Sequence, residues 1–225
     1  MYPNLNIIPL RGKNVNPNLS DDDKIKKGKA PAIEEGFYEE EIFETNNQLT
    51  RSRKAPMYGI LTGKANNLIV VDYDIYKHPE HNITLKTLKT THGAGAYIVA
   101  TQSGGFHVYH TYSDQVDFWD NQTGLKEYID IRTNRGYIVG GKSTGYKELS
   151  GNIEKLTEMP LEFFEELNPL MIEKQTKKKP TRTTRTKTVK EQDDEMVNVL
   201  KKEKFKDIVL GSSYDGKQNF DCLRE

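Results

Sequence analysis

The stretch LIVVDYDIY, residues 68–76, constrains this chain more than any other. Leu68 to Val71 is wholly apolar, the pattern of a strand buried on both faces. Asp72 and Asp74 then follow two residues apart. Side chains alternate across a strand, so both carboxylates leave it on one face. Adjacent carboxylates repel each other, and burying them is costly unless a cation neutralises them. Hard oxygen ligands suit Mg²⁺ or Mn²⁺, which keep some waters and bind substrate phosphates at the remaining positions. The plain alternative is a strand that ends in a solvated turn.

Two further stretches bear on the choice. EYIDIRT (127–133) puts Asp130 and Arg132 on one strand face and Ile129 and Ile131 on the other. A third carboxylate completes a two-metal platform, and the guanidinium can pair bidentately with a carboxylate or a phosphate. An ordinary surface ion pair would leave the same trace. In TQSGGFHVYH (101–110), Ser103, Gly104 and Gly105 form a small-residue turn that lets backbone N–H groups approach an anion. His107 and Tyr109 then share one face of the following strand and His110 takes the other. His107 is thus a candidate triphosphate contact. Rolling-circle replication endonucleases hold their metal through two histidines separated by one residue on a strand. The spacing of His107 and His110 argues against that chemistry.

Short β-branched and aromatic runs at 5–13, 58–63, 67–75, 96–102, 105–112, 127–133, 136–141 and 146–151 read as strands bounded by Gly, Asn and Ser. Helical spacing is expected at 36–50, within 76–92 over ITLKTLKTTHG, and at 156–171, the last with Pro160 in its first turn. The fold class is therefore α+β, with strands and helices mixed along the chain. The chain is polar, with a mean hydropathy of −0.77, but 12 Tyr and 8 Phe suffice for one core. No apolar run approaches the ~20 residues of a membrane span. The N-terminus lacks the basic and long apolar segments of a secretory signal. An intracellular, non-secreted protein with no membrane partner is expected. Cys222 is the single cysteine, which excludes an internal disulfide framework and a cysteine-rich zinc site, so no zinc is expected.

A net charge of zero conceals an uneven distribution. Residues 174–190 carry eight Lys/Arg and no acid, whereas residues 1–173 carry 19 basic and 24 acidic residues. The basic stretch has no hydrophobic period and reads as a linker, either merely solvated or tracking nucleic-acid phosphates. The expected organisation is a catalytic domain at 1–172, a basic disordered linker at 173–190, and the start of a helical region at 191–225. Thirty-five residues are too few to bury a core alone, so that last region is expected to be incomplete or docked on the first.

In order along the chain, IIPLRGK, GKAPAI, GILTGKANNLIVVDYDI, TQSGGFHVYH and YIDIRTNRGYIVGGKSTG resemble the N-terminal domain of the bifunctional DNA primase/polymerases. These belong to the archaeo-eukaryotic primase superfamily and occur in viral and plasmid primase-helicase replication proteins. The likeness spans roughly 5–170. It implies an RRM-like catalytic half packed on a smaller N-terminal αβ half. It also implies template-directed nucleotidyl transfer that makes primers and extends DNA. By that likeness Asp72, Asp74 and Asp130 hold two Mg²⁺ or Mn²⁺ ions and His107 meets the incoming triphosphate. Ser103, Gly104, Gly105 and Arg132 help bind the nucleotide. The implied partners are a single-stranded DNA template, dNTPs or NTPs, and a fused or associated replicative helicase. Arg51, Arg53, Lys54 and Lys64 are candidate template contacts. The competing class is a non-catalytic module that binds single strands or nucleotides.

Overall fold

The computed structural model describes residues 1–12, 18–33, 36–54 and 56–178. Among these, nine strands form two antiparallel sheets. The larger contains β3 (Leu68–Tyr73), β4 (Tyr97–Ala100), β5 (Phe106–Thr111), β6 (Gln122–Lys126), β7 (Ile129–Arg132) and β9 (Lys147–Ser150). Their order is β6-β7-β3-β5-β4-β9, so the run Leu68–Val71 lies near the centre, as its continuous hydrophobicity requires. The smaller sheet has the order β1-β2-β8, from Ile7–Pro9, Tyr58–Leu61 and Tyr137–Val139.

Residue alternation assigns the layers. Ile69, Val71 and Ile131 turn to a face covered by α3 (Leu85–His92) and α4 (Leu161–Lys178), where they pack with Leu88, Phe163, Leu167 and Trp119. Leu68, Val70, Tyr97 and Tyr109 turn the other way and meet Ile7, Ile60 and Ile138 of the small sheet. The outer side of that sheet carries Ile8, Leu61 and Val139. Against its first strand lies α2 (Phe43–Ser52), tied down by the Ile7 N–H donating to Asn47 Oδ1 at 2.7 Å. The architecture is α+β. The smaller layer is N-terminal in origin except for β8, which returns from late in the chain.

The strands expected from the sequence are present with trimmed ends. β6 had no signal: QTGLK lacks a β-branched run and carries Gly124 at φ +59°, and its pairing with β7 recruits it. Helix α1 (Asp21–Gly28) forms in an Asp- and Lys-rich stretch that carries no hydrophobic helical spacing. Its cues are local: Ser20 accepts from the Asp23 N–H, three Asp occupy the first turn, and Lys26 and Lys27 occupy the last. The helix expected within 76–92, over ITLKTLKTTHG, forms as α3, and Pro79 and the left-handed Asn82 (φ +46°) break 75–82 before it into two 3₁₀ turns. Pro160 stands just before α4 rather than inside it, its carbonyl accepting from the Phe164 N–H.

α4 runs to Lys178, beyond the expected domain end at 172 and into the basic stretch, with Lys177 paired to Glu173 one turn back. Met1–Lys178 forms one compact unit. The remainder of the expected linker, and the expected helical region at 191–225, lie outside the described residues. No described helix is long and apolar enough to cross a membrane.

Candidate active site

Strand register builds the site. β3 lies between β7 and β5, with Asp72 opposite Asp130 on one side and opposite His107 on the other. The three side chains form a row across adjacent strands, on the face turned toward the small sheet. Arg132, two residues beyond Asp130, shares that face. Its guanidinium donates to Asp130 Oδ2 at 2.7 Å and lies 3.8 Å from Asp72 Oδ2. His107 Nε2 is 3.6 Å from Asp72 Oδ1, too long for a hydrogen bond. Asp130 is also fixed by the Gly124 N–H, which donates to Oδ1 at 2.7 Å. Asp72 is 8% exposed and His107 3%.

Asp74 falls one residue past the end of β3, at φ −85° and ψ 55°, with its N–H donating to the Tyr128 carbonyl. It is half-buried, and its charge acts on both His107 and Tyr146. The Ser103–Gly105 turn adjoins this corner. A Cβ on Gly105 would lie 2.2 Å from the Tyr73 carbonyl oxygen, so only glycine fits there. The Gly104 N–H donates to the Thr101 carbonyl and the Gly105 N–H to Thr101 Oγ1. Both amides thus close the β4–β5 turn.

Burial dominates the electrostatics. It pushes the Asp72 carboxyl up to about 6, against the pull of Arg132 and with a further push from Asp130. Burial, with Lys29 and Arg132 nearby, holds the His107 imidazole down at about 3, so the ring is neutral at physiological pH. Its Nδ1 is buried with no protein partner. Arg132 supplies the counter-charge to the paired carboxylates in this structure. Oxygen-only donors, with an Asp72 whose ionisation is costly without a cation, fit a hard divalent ion in chemistry. Asp72 and Asp130 share a face, Asp74 stands just past the strand end, and the three do not converge on one point.

Above the row opens a cleft of about 330 Å³. Asp72, His107 and Arg132 line its floor, and Tyr137, Ile138 and Val139 of β8 line its wall. Lys29, Arg135, Tyr146 and Asn121 also line it, none of them expected from the sequence. Lys29 had a weak cue in the GKAP segment. Arg135 had one in the turn-forming run Asn134-Arg135-Gly136, where it takes a left-handed position (φ +59°). A floor that exposes the Asp72 carboxylate, with Asp130 beside it in the row, is therefore rimmed by cations, an arrangement suited to a substrate that carries phosphates near a metal.

The proposed template contacts lie elsewhere. Arg51 donates to the carbonyls of Pro3 and Leu5 and so anchors the N-terminal segment. Arg53 and Lys54 are exposed, and Lys64 is paired with Asp117 at 2.7 Å. None lines the cleft. His110 faces away from the row, with Nε2 2.9 Å from Nδ1 of the buried His92, so it cannot share a ligand with His107. GYIVGGKS (136–143) has the GxxxxGK[ST] spacing of a phosphate loop. Here β8 runs through it, Lys142 lies over the Tyr2 ring, and Ser143 is buried against the Tyr58 backbone. The next regular element is β9, not the helix such a loop needs.

The family model described as bifunctional DNA primase/polymerase, N-terminal, matches residues 3–162. That span contains the whole carboxylate row, the cleft and both sheets. No curated protein matches the chain.

Proposed function

Because the chain belongs to the family of bifunctional DNA primase/polymerase N-terminal domains, we infer that its cleft carries out template-directed nucleotidyl transfer, making primers and extending them. The observation that carries this reading is the row Asp130–Asp72–His107 under a cation-rimmed cleft. A 3′-hydroxyl, or that of an initiating nucleotide, attacks the α-phosphate of an incoming nucleotide and pyrophosphate leaves.

Asp72, Asp74 and Asp130 are the residues that would hold Mg²⁺ or Mn²⁺, which when bound lowers the pKa of the attacking hydroxyl and offsets charge on the leaving oxygens. Lys29 and Arg135 bind the triphosphate at the cleft rim, and Arg132 orients the carboxylates or moves onto phosphate when a metal takes over its charge. His107 is held neutral, so its contribution is a hydrogen bond rather than an ion pair. Tyr137 and Tyr146 form the walls against which a base or sugar can pack. Catalysis of this kind is mainly positioning and electrostatic stabilisation. Single-stranded DNA and dNTPs or NTPs are the partners this chemistry needs. The exposed Arg53 and Lys54, Lys64, the basic 174–190 stretch and coupling to a replicative helicase belong to the same proposal.

The test is primer synthesis and extension on single-stranded templates, with Mg²⁺ or Mn²⁺ and each nucleotide set. Asp72→Asn and Asp130→Asn should each reduce turnover by at least about 100-fold, or ~2.7 kcal/mol in the barrier, without loss of fold. Turnover above a tenth of wild type in either variant would refute the assignment.

A further inference from the structure

A second cluster of metal-ligating side chains lies outside the cleft. After Asp74 the chain makes two 3₁₀ turns, Ile75–Lys77 and Pro79–His81, and the second presents His78, Glu80 and His81. Glu127 meets them from the two-residue turn between β6 and β7. One ligand atom from each of the four lies within 4.8 Å of all the others, and this is the one such group among the described residues.

Four nitrogen–oxygen separations define its shape. His78 Nδ1 is 3.3 Å from Glu80 Oε1 and 3.5 Å from Glu127 Oε1. His81 Nε2 is 3.9 Å from Glu80 Oε1 and 3.5 Å from Glu127 Oε2. A tetrahedral ion with bonds of about 2.0–2.1 Å holds its ligand atoms about 3.3–3.4 Å apart. Three of these separations are close to that spacing, and the four ligand atoms lie within 4.8 Å of one another, so a bound ion would draw the cluster inward. Ion pairing alone explains the grouping poorly. The two glutamates are 61% and 65% exposed, where solvent screens an ion pair, and two protonated imidazoles side by side would repel. Pro79 and the left-handed Asn82 fix the backbone that carries three of the ligands. The His81 ring also packs on Tyr128 with centroids 4.1 Å apart.

We propose that His78, Glu80, His81 and Glu127 form a structural site for a zinc-class divalent transition ion. Two imidazoles disfavour Mg²⁺ and Ca²⁺, four protein ligands leave no open position, and two carboxylates balance the charge. A count of cysteines is silent on such a ligand set. The ion pins the segment leaving Asp74 to the hairpin entering Asp130. The Asp74 N–H already donates to the Tyr128 carbonyl of that same hairpin turn. Metal binding would thereby hold two of the three catalytic carboxylates in register from behind.

The test uses the untagged full chain carrying Cys222→Ser, in saturating Mg²⁺, titrated with Zn²⁺ against a competing chelator. One Zn²⁺ per chain is expected, with a rise in thermal midpoint, and Co²⁺ in its place should show tetrahedral d–d absorption. Glu80→Gln and Glu127→Gln, both exposed and safe for folding, should each weaken Zn²⁺ by at least about 100-fold, the upper end of what outer-shell partners alone supply. His78→Asn with His81→Asn should abolish binding, while Asp72→Asn with Asp130→Asn should leave it intact. Three results would overturn the proposal: no stoichiometric zinc, zinc unaffected by both glutamate substitutions, or zinc lost with the aspartate pair.

Discussion

His107 and His110 are three residues apart on one strand and do different work because the strand alternates. His107 looks into the cleft beside Asp72, whereas His110 looks into the helical layer and bonds His92. His107→Ala should raise the apparent nucleotide KM and lower turnover. A hydrogen bond to a charged phosphate is worth about 1.5–3 kcal/mol, or roughly 10- to 150-fold. His110→Ala should lower stability by about 1–3 kcal/mol, since it leaves His92 Nδ1 without its partner, and should leave nucleotide kinetics near wild type. Steady-state kinetics and urea unfolding on the two variants check both outcomes, and a kinetic defect shared equally would sink the division of labour. The row itself was legible in the sequence. Asp72, Asp130, Arg132 and His107 each follow from strand alternation, which is a local rule. Lys29, Arg135 and Tyr146 were not, because they reach the site only when the two sheets close on each other.

The β4–β5 turn shows how an element constrains the site without entering it. Gly105 allows the Tyr73 carbonyl to pass close by, and Tyr73 precedes Asp74. Gly105→Ala should cost about 1–3 kcal/mol through that backbone clash and should lower turnover by displacing Asp74. Gly95→Ala is the control. Its Cβ meets nothing within 4 Å, so stability should stay within about 0.5 kcal/mol of wild type. Thermal unfolding and turnover of both variants test this, and a Gly105→Ala protein as stable as wild type would contradict the packing described. The Ser-Gly-Gly turn was visible in the sequence, but its amides serve the turn in this structure. The helix expected from ITLKTLKTTHG forms as α3, and its start is set locally, because Pro79 and Asn82 break the backbone just before it. α1 is not legible in the hydrophobic pattern, because it has strong caps and almost no apolar face.

For the molecule as a whole, buried histidines set the acid limit. His92 is held down at about 3 and His110 at about 4, in both cases chiefly by burial. Both are neutral in the folded state and take up protons on unfolding below about 6.5. Their contribution is therefore complete above that value and is lost as pH falls toward the folded values. By pH 5 the loss is on the order of 2 kcal/mol for each histidine. Asp72 works in the opposite sense: its raised value makes its ionisation a cost as pH rises through about 6. Urea midpoints at pH 7 and pH 5 should show a net loss on acidification, smaller in a His92→Gln/His110→Gln variant. An equal loss in that variant would move the acid sensitivity elsewhere.

The return of β8 to the smaller sheet also decides when the molecule can come into being. Ile8 pairs with Gly59, but Gly59 also pairs with Val139, and the cleft wall is Tyr137–Val139 itself. On a ribosome adding about 5–20 residues per second, β1 and β2 emerge seconds before the strand that completes them. Until then they are a two-stranded ribbon, marginal on its own. Closing so distant a pairing is slow. The acidic row on β3 and β7 is synthesised earlier, and it faces solvent until the wall arrives. A nascent chain cut short before residue 137 therefore has its carboxylates but no cleft over them.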